Sequence, residues 1–326
     1  MPPTPGAHDG TLHIYTPGLV AFEHKPSTRS SSPAPTNTLL WIGGLSGGLL
    51  TVAYPALLAR ALPPSWRLAE VLLSSAYRGW GTSSLTQDAH ELAACVAYFQ
   101  QPPPPTPEAR GQGEAHDGRA KVVLMGHSTG SQSALHYLVG PGAAARPRVH
   151  GVVLQAGISD REALVQELPR DVYENGVRVA RQWVREGRAE DVLPLAVTGD
   201  VFGAPASARR WLSLASSDGE GDDDLFSSDL GEERLRESFG RVGRGTAVLV
   251  LFSGRDQFVP APVDKRGLVE RWMRAVKEGG GVVDEVNGGV VEGASHDYGG
   301  DPEEVVSDMV RRVTGFLESL DRGDFA

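Results

Sequence analysis

A serine stands between two glycines at the point where an apolar run gives way to a helical pattern. The stretch KVVLMGHSTGSQSALHYLVG covers residues 121–140, and its centre is GHSTG with Ser128 in the middle. A serine hydroxyl attacks a carbonyl only when a base takes its proton and donors stabilise the oxyanion. A G-x-S-x-G turn between strand and helix raises the serine oxygen above the sheet. The pattern therefore predicts that Ser128 is a nucleophile, the alternative being an ordinary turn rich in glycine and serine.

An acid that follows a later strand is the second requirement of such a site. Asp256, in TAVLVLFSGRDQFVP, comes directly after a strongly apolar run, and the sites of open α/β sheets form at the carboxyl ends of strands. Asp160, in VVLQAGISDREAL, also follows a strand, but it could instead cap a helix that starts at Arg161. We favour Asp256, because the elbow pattern orders the triad as serine, acid and histidine, with the acid late in the sheet.

A histidine after the last strand is the third requirement. His296, in VVEGASHDYGG, follows a short strand-like run and enters a glycine-rich loop. In the predicted mechanism it takes the proton of Ser128 and returns it to the leaving group, while Asp256 holds its tautomer. His127 is not assigned as the base, because a direct neighbour of the nucleophile cannot easily aim its ring at the serine oxygen.

Two backbone N–H groups are expected to bind the oxyanion. One belongs to Thr129, directly after the nucleophile, and the other to the loop that follows the third strand, LLWIGGLSGG. In this loop Gly44 lets the backbone approach the substrate, and Leu45 is the predicted donor. The alternative is a glycine-rich turn that binds no ligand.

Further candidates for contact with a substrate lie after other strands. Tyr77, Arg78 and Trp80, in AYRGWG, follow the end of a strand and suit either a pocket wall or ordinary packing and solvent contact. Asp160 is included because it follows a strand on the side where the site is expected.

Apolar runs that predict buried strands alternate with helical patterns along the chain. This alternation predicts an α/β fold with a mostly parallel sheet and helices on both faces, as one domain over residues 1–326. Residues 160–240 break the rhythm and are expected to form a cap over the site, the alternative being a large solvated insertion. The acidic run at 218–224 is expected to be a flexible, solvated loop.

Composition excludes several other classes of protein. The net charge is −10 without a cluster of lysine and arginine, which argues against a nucleic-acid partner. No apolar run has the length of a membrane span and no secretory signal is recognised, so a cytoplasmic protein is expected. Cys95 is the only cysteine and is expected to be a buried thiol.

No cofactor or metal is expected from the motifs. Cysteine and histidine do not show zinc spacing, and no phosphate-binding Walker loop appears. The stretch IGGLSGG lacks the register and the later acid of a dinucleotide site.

The motifs together resemble a known group of enzymes. GHSTGS, SGRDQFVP and GASH, in this order, resemble the α/β-hydrolase superfamily. YTPGLVAFE, LLWIGGLSGGL, SSAYRGWGTSSL, LQAGISDREAL, WLSLAS and DDDLFSSDL resemble, more specifically, a fungal hydrolase family, DUF1749, that includes siderophore esterases. The resemblance runs over residues 11–320. Gly157 stands where the family pattern leads us to expect proline, and the loop at 101–119 is long.

The resemblance implies an intracellular serine esterase. It implies hydrolysis of ester bonds between acylated hydroxyornithine units of fusarinine-type hydroxamate siderophores, which releases iron after uptake. Ser128, Asp256 and His296 fall on its triad positions, and SDREAL and DDDLFSSDL would lie in or beside a substrate cap. Two kinds of alternative stay open: a general carboxylesterase or an acyltransferase on the same triad, and a non-catalytic protein that holds an iron–siderophore complex or a partner protein.

Overall fold

One sheet of nine strands runs through the part of the chain that the computed structural model describes, residues 6–25, 35–101, 120–200, 203–217 and 221–325. The strands are β1 (Gly10–Thr16), β2 (Leu19–His24), β3 (Asn37–Ile42), β4 (Trp66–Val71), β5 (Val122–His127), β6 (Gly151–Gln155), β7 (Ala247–Ser253), β8 (Val282–Val283) and β9 (Gly289–Val291). Their order is β1-β2-β4-β3-β5-β6-β7-β8, and β9 also pairs with β7.

The sheet is antiparallel only at one edge. β1 pairs with β2, and β2 with β4, in antiparallel register, whereas all pairings from β4 onward are parallel. Every residue of β3, β5, β6 and β7 is buried, as their continuous apolar runs predict for strands covered on both faces. The parallel strands place the ends of β5, β6 and β7 at one edge, where the candidate site lies.

Helices cover both faces of this sheet. They are α1 (Tyr54–Ala61), α2 (Leu85–Gln100), α3 (Thr129–Val139), α4 (Asp160–Glu167), α5 (Arg170–Arg185), α6 (Leu195–Thr198), α7 (Ala208–Ala215), α8 (Glu232–Glu237), α9 (Lys265–Glu278) and α10 (Glu303–Arg322). One face is filled by apolar side chains of α2, α3 and α9, such as Phe99, Leu135 and Trp272. The other face is filled from α1 and α10, for example by Leu58 and Phe316.

Two helix starts show how local sequence sets the boundaries. Ser84 caps α2, as an N-cap serine should, by accepting a hydrogen bond from the N–H of Gln87 at 3.2 Å. Before α4, Ser159 is the capping residue, and its hydroxyl accepts from the N–H of Glu162 at 3.0 Å. Asp160 is the first residue of α4 and not its cap, which leaves its carboxylate free for other contacts.

The segment between β6 and β7 corresponds to the predicted insertion at 160–240, and it divides into two parts. Its first part has an apolar cluster of its own, which includes Leu164 of α4 and Trp211 of α7. Its last part returns to the main core, where the ring of Phe239 stacks on Trp272 with centroids 5.5 Å apart. The first part, up to α7, thus packs around a cluster of its own and is called the cap below. That it covers the site stays a prediction.

The acidic run is not a solvated loop in its described part. Asp223 and Asp224 are almost fully buried, and their carboxylates lie 2.6 Å from Arg210 and 3.4 Å from Arg161. The expectation was wrong because a run of acidic residues gives no sign of the buried arginines that pair with it. Residues 218–220, and the long loop at 101–119 apart from Gln101, lie outside the described residues.

Candidate active site

Ser128 lies at a sharp turn between β5 and α3. Its φ of 55° and ψ of −128° are strained for a residue with a side chain. The flanking glycines are needed for steric reasons, because a Cβ at Gly126 would lie 2.3 Å from the carbonyl oxygen of Gly130. A Cβ at Gly130 would lie 2.3 Å from the carbonyl oxygen of Ile42. This is the strand-to-helix turn that the G-x-S-x-G pattern predicts.

His296 and Asp256 form a buried pair. Nδ1 of His296 lies 2.7 Å from Oδ2 of Asp256, and the other carboxylate oxygen accepts the N–H of Phe258 at 3.0 Å. The backbone N–H of His296 donates to Gln257 at 3.2 Å, which fixes the loop that carries the ring. An ionised carboxylate can only accept, so Nδ1 carries the proton and Nε2 is the basic nitrogen.

Ser128 and His296 line the same cavity, which has a volume of about 330 Å³. The hydrogen bonds of the described residues include none between the Ser128 hydroxyl and His296. Such contacts are often long without a substrate and shorten only in the complex. The absence of this hydrogen bond therefore does not argue against a pairing of Ser128 with His296, which line the same cavity.

The loop after β3 passes directly over the nucleophile. A Cβ at Gly44 would lie 2.7 Å from the Cβ of Ser128, so this position is restricted to glycine. The carbonyl of Gly44 accepts the N–H of Gly47 at 2.9 Å, which closes a turn with Leu45 inside it. Gly44 and Leu45 both line the cavity. Thr129 opens α3, where an N–H has no acceptor within the helix and the dipole favours negative charge.

Asp160 also reaches the cavity, and it lies against the elbow helix. Its two carboxylate oxygens accept from the hydroxyl of Thr129 at 2.8 Å and from the amide of Gln132 at 3.1 Å. Burial, together with the nearby carboxylate of Asp223, raises the pKa of Asp160 to about 6, whereas these hydrogen bonds and Arg210 oppose the rise. Asp160 is therefore an acid whose charge depends on pH near neutrality.

Three of the predicted substrate contacts do not belong to the described lining of the cavity. The ring of Tyr77 lies on Gly48, where an added Cβ would be only 2.3 Å from it, and Arg78 is exposed. Trp80 is buried in the apolar cluster of the cap. Sequence could not separate these outcomes, because a loop after a strand can turn toward the site or away from it.

Several residues of the site were not assigned a role from the sequence. His127 lines the cavity, and burial, followed by the neighbouring His296, lowers its pKa to about 4. Gln155 ends β6 and touches both the elbow and the histidine loop. The lining also includes Gln257, Phe258 and Asp297. These three directly follow Asp256 or His296 in the chain, and this closeness to predicted triad residues could have marked them as residues of the site.

No group of three or more histidine, cysteine, aspartate or glutamate side chains is placed to hold a metal ion in the described ranges. None of the described helices has both the length and the apolar character needed to cross a membrane.

The sheet order and the elbow define an α/β-hydrolase, and Ser128, His296 and Asp256 are its candidate triad. The sequence profile of the family DUF1749, described as a protein of unknown function, matches residues 1–318, so the chain belongs to this family. Both the family resemblance and the fold class predicted from the sequence are confirmed.

Characterised relatives extend over nearly the whole chain. Fusarinine C esterase sidJ of Aspergillus fumigatus is 38% identical over 97% of this chain and 97% of its own length. Esterase AN6793 of Emericella nidulans is 37% identical over 98% of this chain and 94% of its own. The solved structure of siderophore hydrolase EstB from Aspergillus fumigatus has a TM-score of 0.80 at 38% identity, covering 97% of this chain and 98% of that one.

Proposed function

We propose that this protein is a serine esterase in which Ser128, His296 and Asp256 act as nucleophile, base and orienting acid. The observation that carries the proposal is the pairing of His296 with Asp256 at 2.7 Å beside the cavity that also holds the strained Ser128. A strained serine and a carboxylate-bound histidine that share one cavity match what nucleophilic acyl transfer requires.

The first half of the reaction forms an acyl-enzyme. Nε2 of His296 takes the proton of the Ser128 hydroxyl while the serine oxygen bonds to the ester carbonyl carbon. The negative charge that develops on the carbonyl oxygen is bound by the N–H groups of Thr129 and Leu45. The tetrahedral intermediate then collapses, the bond to the alcohol oxygen breaks, and His296 returns the proton to that oxygen.

The second half restores the enzyme with water. His296 takes a proton from a water molecule whose oxygen attacks the acyl carbon, and the second intermediate releases the carboxylic acid and the Ser128 hydroxyl. The imidazolium forms in both halves, and the buried Asp256 stabilises it each time. An alcohol or amine that replaced water would turn the same chemistry into acyl transfer.

We further propose that the substrate is an ester-linked hydroxamate siderophore of the fusarinine type. Support comes from relatives at 37–38% identity over almost the whole length, one called a fusarinine C esterase and one a siderophore hydrolase. A volume of about 330 Å³ is near the lower limit of ligand pockets, which reach roughly 1,000 Å³. It suits one ester arm, with the rest of a cyclic substrate outside. A cytoplasmic role in iron release belongs to this proposal, and a fluorescent fusion would test the location.

The test compares wild type with Ser128→Ala on a short p-nitrophenyl ester and on a cyclic fusarinine, with products followed by mass. Wild type should open the siderophore, and the alanine variant should lose at least about 10⁴-fold in kcat because the nucleophile is gone. Ser65→Ala is the matched control, since this serine precedes β4 at the opposite edge of the sheet and its hydroxyl donates to Asp321 at 2.8 Å.

The outcomes separate chemistry from substrate. Cleavage of the small ester alone would uphold the serine mechanism and remove the siderophore from the proposal. A Ser128→Ala variant as active as the Ser65→Ala control would overturn the assignment of the nucleophile.

A further inference from the structure

Gln155 lies between the two halves of the candidate triad. It ends β6, pairs in register with His127 of β5, and its side chain is fully buried. Its backbone carbonyl accepts the N–H of Ser128 at 3.0 Å and the hydroxyl of Ser131 at 3.1 Å. Its side-chain amide reaches the backbone carbonyl of His296 at 3.3 Å. One residue thus contacts both the nucleophile's turn and the histidine loop.

The direction of each hydrogen bond in this network follows from which atoms can only accept. The carbonyl oxygen of His296 has no proton, so the amide end facing it is the NH₂ group of Gln155. The opposite end is then the carbonyl oxygen, which lies 2.9 Å from the hydroxyl of Tyr54 and 2.6 Å from Nδ1 of His127. Since the Tyr54 oxygen already accepts from the indole N–H of Trp41 at 2.8 Å, its proton is free to point at Gln155.

These directions fix the tautomer of His127. Nδ1 must carry a proton to bond to an amide carbonyl, so the neutral ring leaves Nε2 bare. The His127 ring stacks on Trp41 and lies 5.1 Å from the ring of His296, measured between centroids. A positive charge on His127 would oppose the imidazolium that His296 forms during the reaction. Burial lowers the pKa of His127 and so favours the neutral ring, while Gln155 fixes the proton of that ring on Nδ1.

We propose that Gln155 is a positioning residue that joins the turn of Ser128 to the loop of His296 and keeps the proton of the neutral His127 ring on Nδ1. The proposal rests on the esterase mechanism given above, because it assigns Gln155 a role in that reaction. Gln155 acts through its neighbours and forms no bond to the reacting atoms.

The kinetic test uses Gln155→Met, which keeps the length of the side chain but removes the hydrogen bonds of the amide to His296, His127 and Tyr54. Misplacement of a reacting group by about 1 Å can cost on the order of 100-fold in rate, so kcat should fall by roughly 10- to 100-fold. KM should stay within about threefold, because the residue lies behind the groups that face the substrate. Gln155→Glu retains an acceptor for His127 but loses the donor to His296, and it should show the same loss of kcat.

Thr38→Val is the matched control for lost buried hydrogen bonding. Thr38 is fully buried in β3, its hydroxyl accepts from Arg67 at 2.9 Å, and it lies far from the elbow along the strand. The kcat of the Thr38→Val variant should equal that of wild type. A Gln155→Met enzyme that loses stability but keeps the wild-type kcat would show a merely structural role and overturn the proposal.

A spectroscopic test reports on the tautomer without relying on turnover. In protein labelled with ¹⁵N-histidine, His127 should show the neutral Nδ1–H form across about pH 5 to 8, and its signal is identified by its loss in His127→Asn. In Gln155→Met the ring should lose this fixed tautomer. A His127 that titrates within this range in wild type, or that is protonated at Nε2, overturns the proposal. An inactive wild type would instead contradict the esterase mechanism and leave this result standing.

Discussion

Gly44 shows how closely a backbone approaches the nucleophile. The space above Ser128 is so small that one added methyl group would lie 3.2 Å from the serine oxygen and 2.7 Å from its Cβ. A carbonyl bound there would lie between the loop and the elbow, where an oxyanion needs its donors. The absence of a side chain at Gly44 is thus a condition for substrate binding.

Gly44→Ala should therefore lower kcat/KM by on the order of 100-fold or more, because the methyl group occupies the substrate's place and pushes Ser128. The fold should persist, since φ at this position is not in the left-handed region. Steady-state kinetics on a p-nitrophenyl ester checks this. Gly243→Ala is the control, because an added Cβ there meets nothing within 4 Å. Equal activity of the two variants would contradict the expected contact.

Asp160 gives a prediction for stability against pH. Its native pKa is about 6 against an ordinary 3.8, so the folded protein binds the proton more tightly than the unfolded chain does. The free energy of unfolding must then fall as the pH rises between these two values. Asp160→Asn cannot ionise, and it should lose this part of the slope.

The measurement is urea unfolding of wild type and Asp160→Asn at several values from about pH 4 to pH 7. Over this range wild type should lose roughly 1–3 kcal/mol relative to the variant, since one pKa unit corresponds to about 1.4 kcal/mol. Other titrating groups cancel in the difference. Parallel curves would show that Asp160 does not titrate in this window.

At the scale of residues, sequence reveals functional groups whose required neighbours lie close to them along the chain. The turn around Ser128 can be recognised from the sequence, because the glycines that its geometry requires lie within five consecutive positions. Gln155 is not visible in this way, because its partners come from three separate segments and only the folded sheet brings them together. The roles of Tyr77 and Trp80 likewise depend on the direction in which a loop turns.

At the scale of elements, a buried ion pair joins α7 to the acidic segment that follows it. Arg210 of α7 is almost fully buried, its guanidinium lies 2.6 Å from Asp223, and it donates to the carbonyl oxygen of Trp80 at 3.0 Å. The same cation also favours the charged forms of Asp88 and Asp160. Removing it would leave buried carboxylates without their counterion.

Arg210→Met should therefore lower the free energy of unfolding by about 3–5 kcal/mol. The neighbouring Arg209→Met is the control, because its partner Glu190 is exposed and such pairs contribute less than about 1 kcal/mol. Urea denaturation of both variants provides the comparison. Similar losses in the two would show that burial of the Arg210 pair has no special effect.

Elements with strong patterns could be predicted, and those that depend on distant partners could not. The apolar runs of β5, β6 and β7 indicate buried parallel strands by themselves, since each run is buried along its whole length. The fate of Asp223 and Asp224 depends instead on arginines in α4 and α7. A run of charged residues is expected to lie in solvent unless buried partners of opposite charge are known.

At the scale of the whole molecule, the buried apolar side chains of the described residues form three clusters. Two lie on the faces of the sheet and hold the strands that end at the candidate site. The third belongs to the cap, and Trp80, from the loop between β4 and α2, is part of it. Phe226 and Phe239, from the last part of the predicted insertion, pack instead in the main core, and the polar and acidic composition of that part gave no sign of this.

Leu45 belongs to two parts of the molecule at once. Its backbone lies in the loop proposed to bind the oxyanion, while its side chain packs against the apolar cluster of the cap. A mutation that reshapes the cap for a bulkier substrate would shift this side chain and the N–H group attached to it. New specificities in this lineage would therefore arise together with changes in turnover, and adaptation would require paired substitutions in the cap and in the 43–48 loop.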